Sequence, residues 1–157
     1  MHADLAALHA TVAVAESLTG GLLTATLTET PGASATIRGG LVVYATDLKA
    51  KLASVPEGLL AERGAVDPEV ALALARGARD RLGATYGVGV TGVAGPDPLN
   101  GKPIGRTYVA IAGPSGETVV ERDLTGDRTS IRYAAVVAAV DLLRRECAHA
   151  LTALRSP

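Results

Sequence analysis

The sequence predicts an α/β fold, a layered sandwich in which a mixed, mostly parallel β-sheet is flanked by helices. Short apolar or β-branched runs alternate with helical patterns along the chain, which is typical of parallel strands covered by helices. A Gly-Pro-Ser-Gly turn at residues 113–116 joins the last two predicted strands, so these form an antiparallel hairpin and make the sheet mixed. Because no repeat or linker interrupts this order, we expect residues 1–157 to form a single domain.

The first half of the chain predicts three helices and two strands. An apolar run at 11–15 and a β-branched run at 39–44 are the strands. Helices are expected at 5–9, at 20–29 before Pro31-Gly32, and at 47–53 before Pro56.

The second half begins with the clearest helix, at 67–82. Asp67 is an N-cap residue, Pro68 occupies the first turn, and Gly83 is a C-cap. Strands follow at 86–91, 108–112 and 118–123, and a Gly/Pro-rich loop at 92–105 is too long to be a simple turn. Asp127 caps a last helix with an Ala-rich face, which is a candidate surface for homo-oligomer formation.

The composition excludes several function classes. Hydrophobic residues make up 48% of the chain but Trp and Phe are absent, so the core must consist of Ala, Val, Leu and Ile. The net charge of −1 provides no basic field, and we therefore expect no nucleic acid and no membrane surface as partner. No apolar run reaches the roughly 20 residues of a membrane helix, and the first residues do not resemble a signal peptide.

The cysteine and histidine residues point to a reducing compartment and to no metal site. Cys147 is the only cysteine, which excludes an internal disulfide and favours a cytoplasmic location, and we interpret it as a small buried hydrophobe. The histidines, His2, His9 and His149, lie near the termini without ligand spacing, so no protein-built zinc site is expected.

Two of the predicted strands end in residues that can carry chemistry. The first is followed by Glu16-Ser17-Leu18-Thr19-Gly20-Gly21, and the third ends in Thr91-Gly92. The first segment opens a helix, where free N–H groups and the helix dipole suit an anion or a developing oxyanion. Glycine residues let a ligand approach the backbone, and if the two strands are neighbours these groups converge at the carboxyl edge of the sheet.

These residues permit a serine–lysine mechanism. Ser17 would be the nucleophile, and because no histidine is placed to serve it, Lys49 would be the base if burial keeps it partly neutral. Tyr44 would relay or orient the proton, and N–H groups near Gly20 or Gly92 would hold the oxyanion.

Each candidate also has a simpler structural interpretation. Ser17 could cap a helix, Lys49 could be a solvated surface residue, and Tyr44 could sit at the edge of the core. Gly20 and Gly21 could relieve crowding where helix meets sheet.

Two arginines one helical turn apart, Arg128 and Arg132, open the last helix. They could clamp a phosphate or simply form a solvated face.

Taken together, these segments resemble the CinA C-terminal domain family, of the nicotinamide-nucleotide amidase type. The resemblance spans residues 5–145, and its ordered motifs are specific as a set although no single one is diagnostic. The matching segments are Ala15-Glu16-Ser17-Leu18-Thr19-Gly20-Gly21, residues 39–44 with Lys49, Gly64-Ala65-Val66 with Glu69-Val70, Thr91-Gly92-Val93-Ala94-Gly95-Pro96, Lys102-Pro103-Ile104-Gly105, and Gly126-Asp127-Arg128 with Ile131-Arg132.

The resemblance implies hydrolysis of the carboxamide of nicotinamide mononucleotide to nicotinate mononucleotide and ammonia, in pyridine-nucleotide recycling, without a metal or other cofactor. It implies Ser17 as nucleophile, Lys49 as base, and Tyr44 and Thr91 as support. The Arg128 and Arg132 positions would contact the phosphate. Some family members carry a further N-terminal domain with a metal-dependent hydrolase activity, which we do not expect from this chain.

Three departures from the family pattern bear on the site. Leu18 stands where many relatives have Cys, so Ser17 is the only nucleophile in its motif. Ala45-Thr46 replaces a frequent Ser-Asn, which removes an amide from the rim. Asp97-Pro98-Leu99-Asn100-Gly101 stands where a Gly-Gly pair is frequent, so loop closure is expected to differ.

Two further function classes stay open on sequence. A nucleotide-binding or regulatory module of the same fold would explain the loss of Ser-Asn, and would bind nucleotide without releasing ammonia. A purely structural α/β protein would explain the composition but leaves the ordered motifs without a role.

Overall fold

A five-stranded sheet forms the centre of the molecule, in the strand order β2-β1-β3-β4-β5. The computed structural model describes residues 1–155, so Ser156 and Pro157 of the predicted domain lie outside the described residues. The strands are β1 (Val12–Glu16), β2 (Ile37–Val42), β3 (Tyr86–Gly92), β4 (Arg106–Gly113) and β5 (Gly116–Asp123). β1 pairs in parallel with β2 and β3, whereas β4 is antiparallel to β3 and β5. Only β4 therefore runs against the others, which confirms the predicted mixed, mostly parallel sheet.

Helices cover both faces of this sheet and make a three-layer sandwich. They are α1 (His2–Ala7), α2 (Leu22–Thr28), α3 (Thr46–Ala53), α4 (Glu57–Arg63), α5 (Pro68–Leu82) and α6 (Arg128–Arg155). α1, α2 and α6 pack on one face, and α3, α4 and α5 on the other. Along β1, Val12 and Val14 face the first group while Ala13 and Ala15 face the second, as the two-residue period of a strand requires.

The face under α5 is packed unusually closely because β3 carries glycine there. A Cβ at Gly87 would overlap the carbonyl oxygen of Ala75, and one at Gly89 would overlap that of Ala71. Backbone therefore lies against backbone, which lets a core without Phe or Trp remain well filled.

The predicted elements are found, with shifted bounds. The helix from Asp67 to Gly83 agrees best: the Asp67 carboxylate accepts the Glu69 N–H at 2.9 Å, and Gly83 ends the helix with a left-handed φ of 60°. Helix α4 was not predicted, because Pro56 was interpreted as a stop. Pro56 instead precedes the first turn of α4, where a missing N–H costs nothing.

The remaining differences are small. A 3₁₀ turn at Ala33–Ala35 was also not predicted. β2 ends at Val42, two residues before Tyr44, because the chain then turns into α3. Among residues 1–155, no helix is long and apolar enough to cross a membrane.

Candidate active site

Ser17 lies where β1 ends, beside the end of β3. Its N–H donates to the carbonyl oxygen of Val90 at 3.0 Å, one step beyond the Glu16–Val90 pair of the parallel ladder. Ser17 and Thr91 are therefore neighbours at the carboxyl edge of the sheet, and the predicted convergence of these two strand ends is observed.

Helix α3 brings Lys49 to the same edge. Its side chain is 1% exposed, and Nζ lies 3.0 Å from Ser17 Oγ. Nζ also donates to the carbonyl oxygens of Val43 at 2.8 Å and Tyr44 at 3.1 Å. No carboxylate of the described residues forms an ion pair with it. Burial consequently lowers the pKa of Lys49 from 10.5 to about 8.

This environment fits a neutral amine as well as an ammonium. A neutral lysine has two N–H groups, which the carbonyl oxygens of Val43 and Tyr44 accept, and one lone pair. The lone pair then faces Ser17 Oγ and can accept the hydroxyl proton. The site therefore holds a hydroxyl and an amine in direct contact, in the geometry that a nucleophile and its base require.

Tyr44 and Arg128 form one rim of the site. Tyr44 is 59% exposed, and its hydroxyl accepts a hydrogen bond from Arg128 Nη2 at 2.9 Å. Arg128 is the first residue of α6 and also donates to the carbonyl oxygen of Gly95. Both terminal nitrogens of this guanidinium, Nη1 and Nη2, are thus hydrogen-bonded, while the side chain remains exposed to a ligand.

A cavity of about 320 Å³ opens in front of Ser17 and Lys49. The loop after β3 forms one wall, which contains Asp97, and Thr46 at the start of α3 lies on another. Three charged residues line this space: the buried Lys49 and the exposed Asp97 and Arg128. The volume suits a small organic molecule.

Thr91 and Gly92 complete the floor of the cavity. Thr91 is fully buried, and its hydroxyl donates to the carbonyl oxygen of Ala65 at 2.6 Å. A Cβ at Gly92 would lie 2.7 Å from Thr107 Oγ1, so β4 leaves no room for a side chain there.

Glu16 binds helix α2 and does not line the cavity. The fully buried carboxylate accepts the N–H groups of Leu23 and Thr24, each at 3.1 Å, and the Thr24 hydroxyl at 2.6 Å. The expectation that this helix start would hold a ligand anion is therefore wrong for these N–H groups, because the chain's own carboxylate occupies them.

The turn between β1 and α2 is held from the other side by Arg132. Its Nε donates to the carbonyl oxygen of Leu18 at 3.0 Å and its Nη2 to that of Thr19 at 2.9 Å. Gly20 and Gly21 have φ values of +59° and +97°, which L-residues with side chains rarely adopt. The turn geometry thus accounts for the glycine pair.

The structure brings six of the eleven predicted site residues to the cavity: Ser17, Tyr44, Lys49, Thr91, Gly92 and Arg128. The other five lie behind it, in the turn or against α2 and α6: Glu16, Thr19, Gly20, Gly21 and Arg132. Thr19 is fully buried, and its Oγ1 has no hydrogen-bond partner among residues 1–155.

Several simpler interpretations are now excluded. Ser17 does not cap α2, whose N-cap is Gly21, and Lys49 is not a solvated surface residue. Cys147 is fully buried, as expected. Sequence reasoning missed Asp97 as a wall residue, although its position in an overlong Gly/Pro-rich loop was an available signal.

The fold and the site define a class: a three-layer α/β protein with a buried serine–lysine pair at the carboxyl edge of its sheet. The chain belongs to the CinA C-terminal domain family, whose model matches residues 1–147. It is 57% identical over 136 residues to a CinA-like protein of Frankia casuarinae, covering 87% of this chain and 31% of that protein. The chain spans about a third of the length of the curated relatives it matches.

Solved structures agree with this assignment. The competence/damage-inducible protein CihA of Agrobacterium tumefaciens is 37% identical with a TM-score of 0.86, covering 91% of this chain and 88% of that one. A CinA superfamily protein of Klebsiella pneumoniae is 27% identical with a TM-score of 0.91, covering 94% and 93%.

Proposed function

We propose that this chain is an amidohydrolase that converts nicotinamide mononucleotide to nicotinate mononucleotide and ammonia. The observation that carries the proposal is the 3.0 Å contact between Ser17 Oγ and the buried Lys49 Nζ at the edge of a cavity. A hydroxyl beside an amine whose pKa is lowered to about 8 is suited to acyl transfer.

The mechanism follows from the two groups. Neutral Lys49 takes the proton of Ser17 as Oγ attacks the carboxamide carbon, and the C=O oxygen becomes an oxyanion. Lys49 then returns the proton to the leaving nitrogen, ammonia departs, and an acyl ester on Ser17 is left. Water, deprotonated by Lys49, attacks the ester carbon, and the bond to Ser17 Oγ breaks. Lys49 returns its proton to Ser17 Oγ, and the carboxylate product leaves.

The charges of the cavity match this substrate. Nicotinamide mononucleotide carries an anionic phosphate and a cationic pyridinium ring. Arg128 offers a rim cation to the phosphate, and Asp97 offers a carboxylate to the ring. We assign them these roles within the proposal.

Ammonia release from nicotinamide mononucleotide tests the proposal. Ser17→Ala and Lys49→Met are each expected to reduce kcat by roughly 10³-fold or more, as for other nucleophile–base pairs. Lys51→Met is the matched control, because Lys51 lies on the same helix but is exposed and paired with Asp47. A folded wild type that binds the nucleotide without releasing ammonia would instead define a binding module.

A further inference from the structure

Arg132 lies too far into α6 to line the cavity, yet it contacts the segment that follows the nucleophile. Its guanidinium binds two successive carbonyl oxygens, those of Leu18 and Thr19, through Nε and Nη2. The approach is close, because a Cβ at Gly20 would lie 3.4 Å from Nη2. The Nε–Nη2 edge of the guanidinium, one of the two edges that can bind a phosphate, is therefore already occupied by backbone.

These two contacts orient the Leu18–Thr19 and Thr19–Gly20 peptide planes. The Ser17–Leu18 plane, which carries the Leu18 N–H, is held in turn by the hydrogen bond from the Gly20 N–H to the Ser17 carbonyl oxygen. In a trans peptide the carbonyl oxygen and the following N–H point in opposite directions. Because the Leu18 carbonyl faces Arg132, the Thr19 N–H faces away from it. Rotation of this plane would bring the N–H toward the cation, which Arg132 opposes electrostatically.

A count of donors in the turn shows which N–H groups remain for a ligand. The Ser17 N–H donates to Val90 and the Gly20 N–H to the Ser17 carbonyl, so the Gly20 N–H suggested by the sequence is occupied. Within residues 1–155, the N–H groups of Leu18, Thr19 and Gly21 have no hydrogen-bond partner. Of these three residues, only Leu18 lines the cavity. Thr19 Oγ1, in the same turn, is buried without a partner as well.

We propose that Arg132 is a positioning residue that holds this turn so that the N–H group of Leu18, the residue after the nucleophile, stabilises the oxyanion formed when Ser17 attacks. This inference rests on the proposed acyl-transfer function of Ser17. Preoriented backbone donors act at the transition state more than in substrate binding. The role of Arg132 is therefore distinct from a phosphate contact, which would act mainly on binding.

Steady-state kinetics of Arg132→Met separate the two roles. We expect kcat to fall by roughly 10²-fold or more, as when an oxyanion donor is lost, with KM changed less than about threefold. Arg132→Lys, a point charge that cannot span both carbonyls, should give an intermediate loss. Arg144→Met is the matched control, since Arg144 is exposed on the same helix and pairs with Asp141. Guanidinium ion added to Arg132→Met should restore part of kcat.

A second readout does not depend on the substrate. A fluorophosphonate probe reacts with an activated serine and also develops charge on oxygen, so its rate of labelling Ser17 should fall in Arg132→Met and recover with guanidinium. Thermal melting shows whether the variant is folded. If Arg132→Met does not fold, Arg132→Lys and its guanidinium response take its place.

The outcomes distinguish this inference from the proposed function. Loss of kcat and of labelling together supports it. A raised KM with kcat and labelling unchanged would make Arg132 a phosphate contact and would overturn its positioning role. If kcat, KM and the labelling rate are all unchanged, Arg132 has neither role. If the wild type labels at Ser17 but releases no ammonia from nicotinamide mononucleotide, the substrate proposal fails, and the labelling rates still decide the role of Arg132. A wild type that neither labels nor hydrolyses overturns both.

Discussion

The burial of Lys49 has a thermodynamic signature that needs no substrate. Its pKa is lowered from 10.5 to about 8 because the folded protein disfavours the ammonium. The perturbation we would make is Lys49→Met, which removes the charge and keeps a side chain of similar length. The quantity to follow is the difference in unfolding free energy between wild type and variant as a function of pH.

The sign follows from proton binding. Below pH 8 Lys49 is protonated in both the folded and the unfolded state, and the folded state bears the full free-energy cost of burying the ammonium. Between pH 8 and 10.5 only the unfolded state binds it, so the wild type gains stability relative to Lys49→Met as pH rises. The two pKa values differ by about 2.5, which corresponds to about 3 kcal/mol in total, or roughly 1.4 kcal/mol per pH unit.

Urea unfolding between pH 7 and 10 measures this difference. Burial also raises the pKa of Cys147 to about 11, so above pH 9 that thiol lowers the stability of both proteins and cancels in the comparison. The carbonyl groups of Val43 and Tyr44 lose their donor in the variant, which costs stability at every pH. A difference that stays flat across this range would refute the argument that Lys49 has a lowered pKa.

Three other predictions follow from the site and the turn. The rate of ammonia release, as kcat/KM, should rise with pH to a plateau above about pH 8 as Lys49 loses its proton; a plateau already reached by pH 6.5 would contradict Lys49 as base. Asp97→Asn should lower kcat/KM by roughly tenfold for nicotinamide mononucleotide but leave its reduced, uncharged-ring form unaffected, and equal losses for both would remove the proposed ring contact. Gly40→Ala should cost about 1–3 kcal/mol of unfolding free energy, because the new Cβ would come within 3.0 Å of Thr24 Cβ; Gly58→Ala, which meets nothing within 4 Å, is the control and should be neutral or stabilising in thermal melts.

Local chemistry explains what the sequence could predict. Asp67 and Gly83 predict the bounds of α5 because cap residues act within one turn of the helix. Ser17, Tyr44 and Lys49 are predicted as site residues because they lie at or after predicted strand ends and match the motifs of the family. The loop wall with Asp97 and the helix α4 were missed. Their positions depend on tertiary packing, and a proline reads equally well as the end of one helix or the start of the next.

The roles within the Glu16–Gly21 segment were the hardest to predict, for a physical reason. Sequence shows which side chains are present, whereas the turn is held by contacts to backbone atoms. Glu16 accepts hydrogen bonds from backbone N–H groups of α2, and Arg132 donates hydrogen bonds to backbone carbonyl oxygens of the turn. A carboxylate and a guanidinium therefore hold the segment at two separate places. The backbone N–H and carbonyl groups that these side chains bind are common to all residues, so the sequence does not indicate which of them will be contacted.

The backbone contacts of Lys49 are equally important to its chemistry. A carboxylate beside Nζ would satisfy the ammonium but would also raise its pKa, so the lysine would remain protonated and could not accept the Ser17 proton. The carbonyl oxygens of Val43 and Tyr44 accept the same hydrogen bonds without a full negative charge. They orient Nζ toward Ser17 while burial keeps the pKa near 8. The turn between β2 and α3, which aims both carbonyls at Nζ, is therefore part of what the proposed role of Lys49 as base requires.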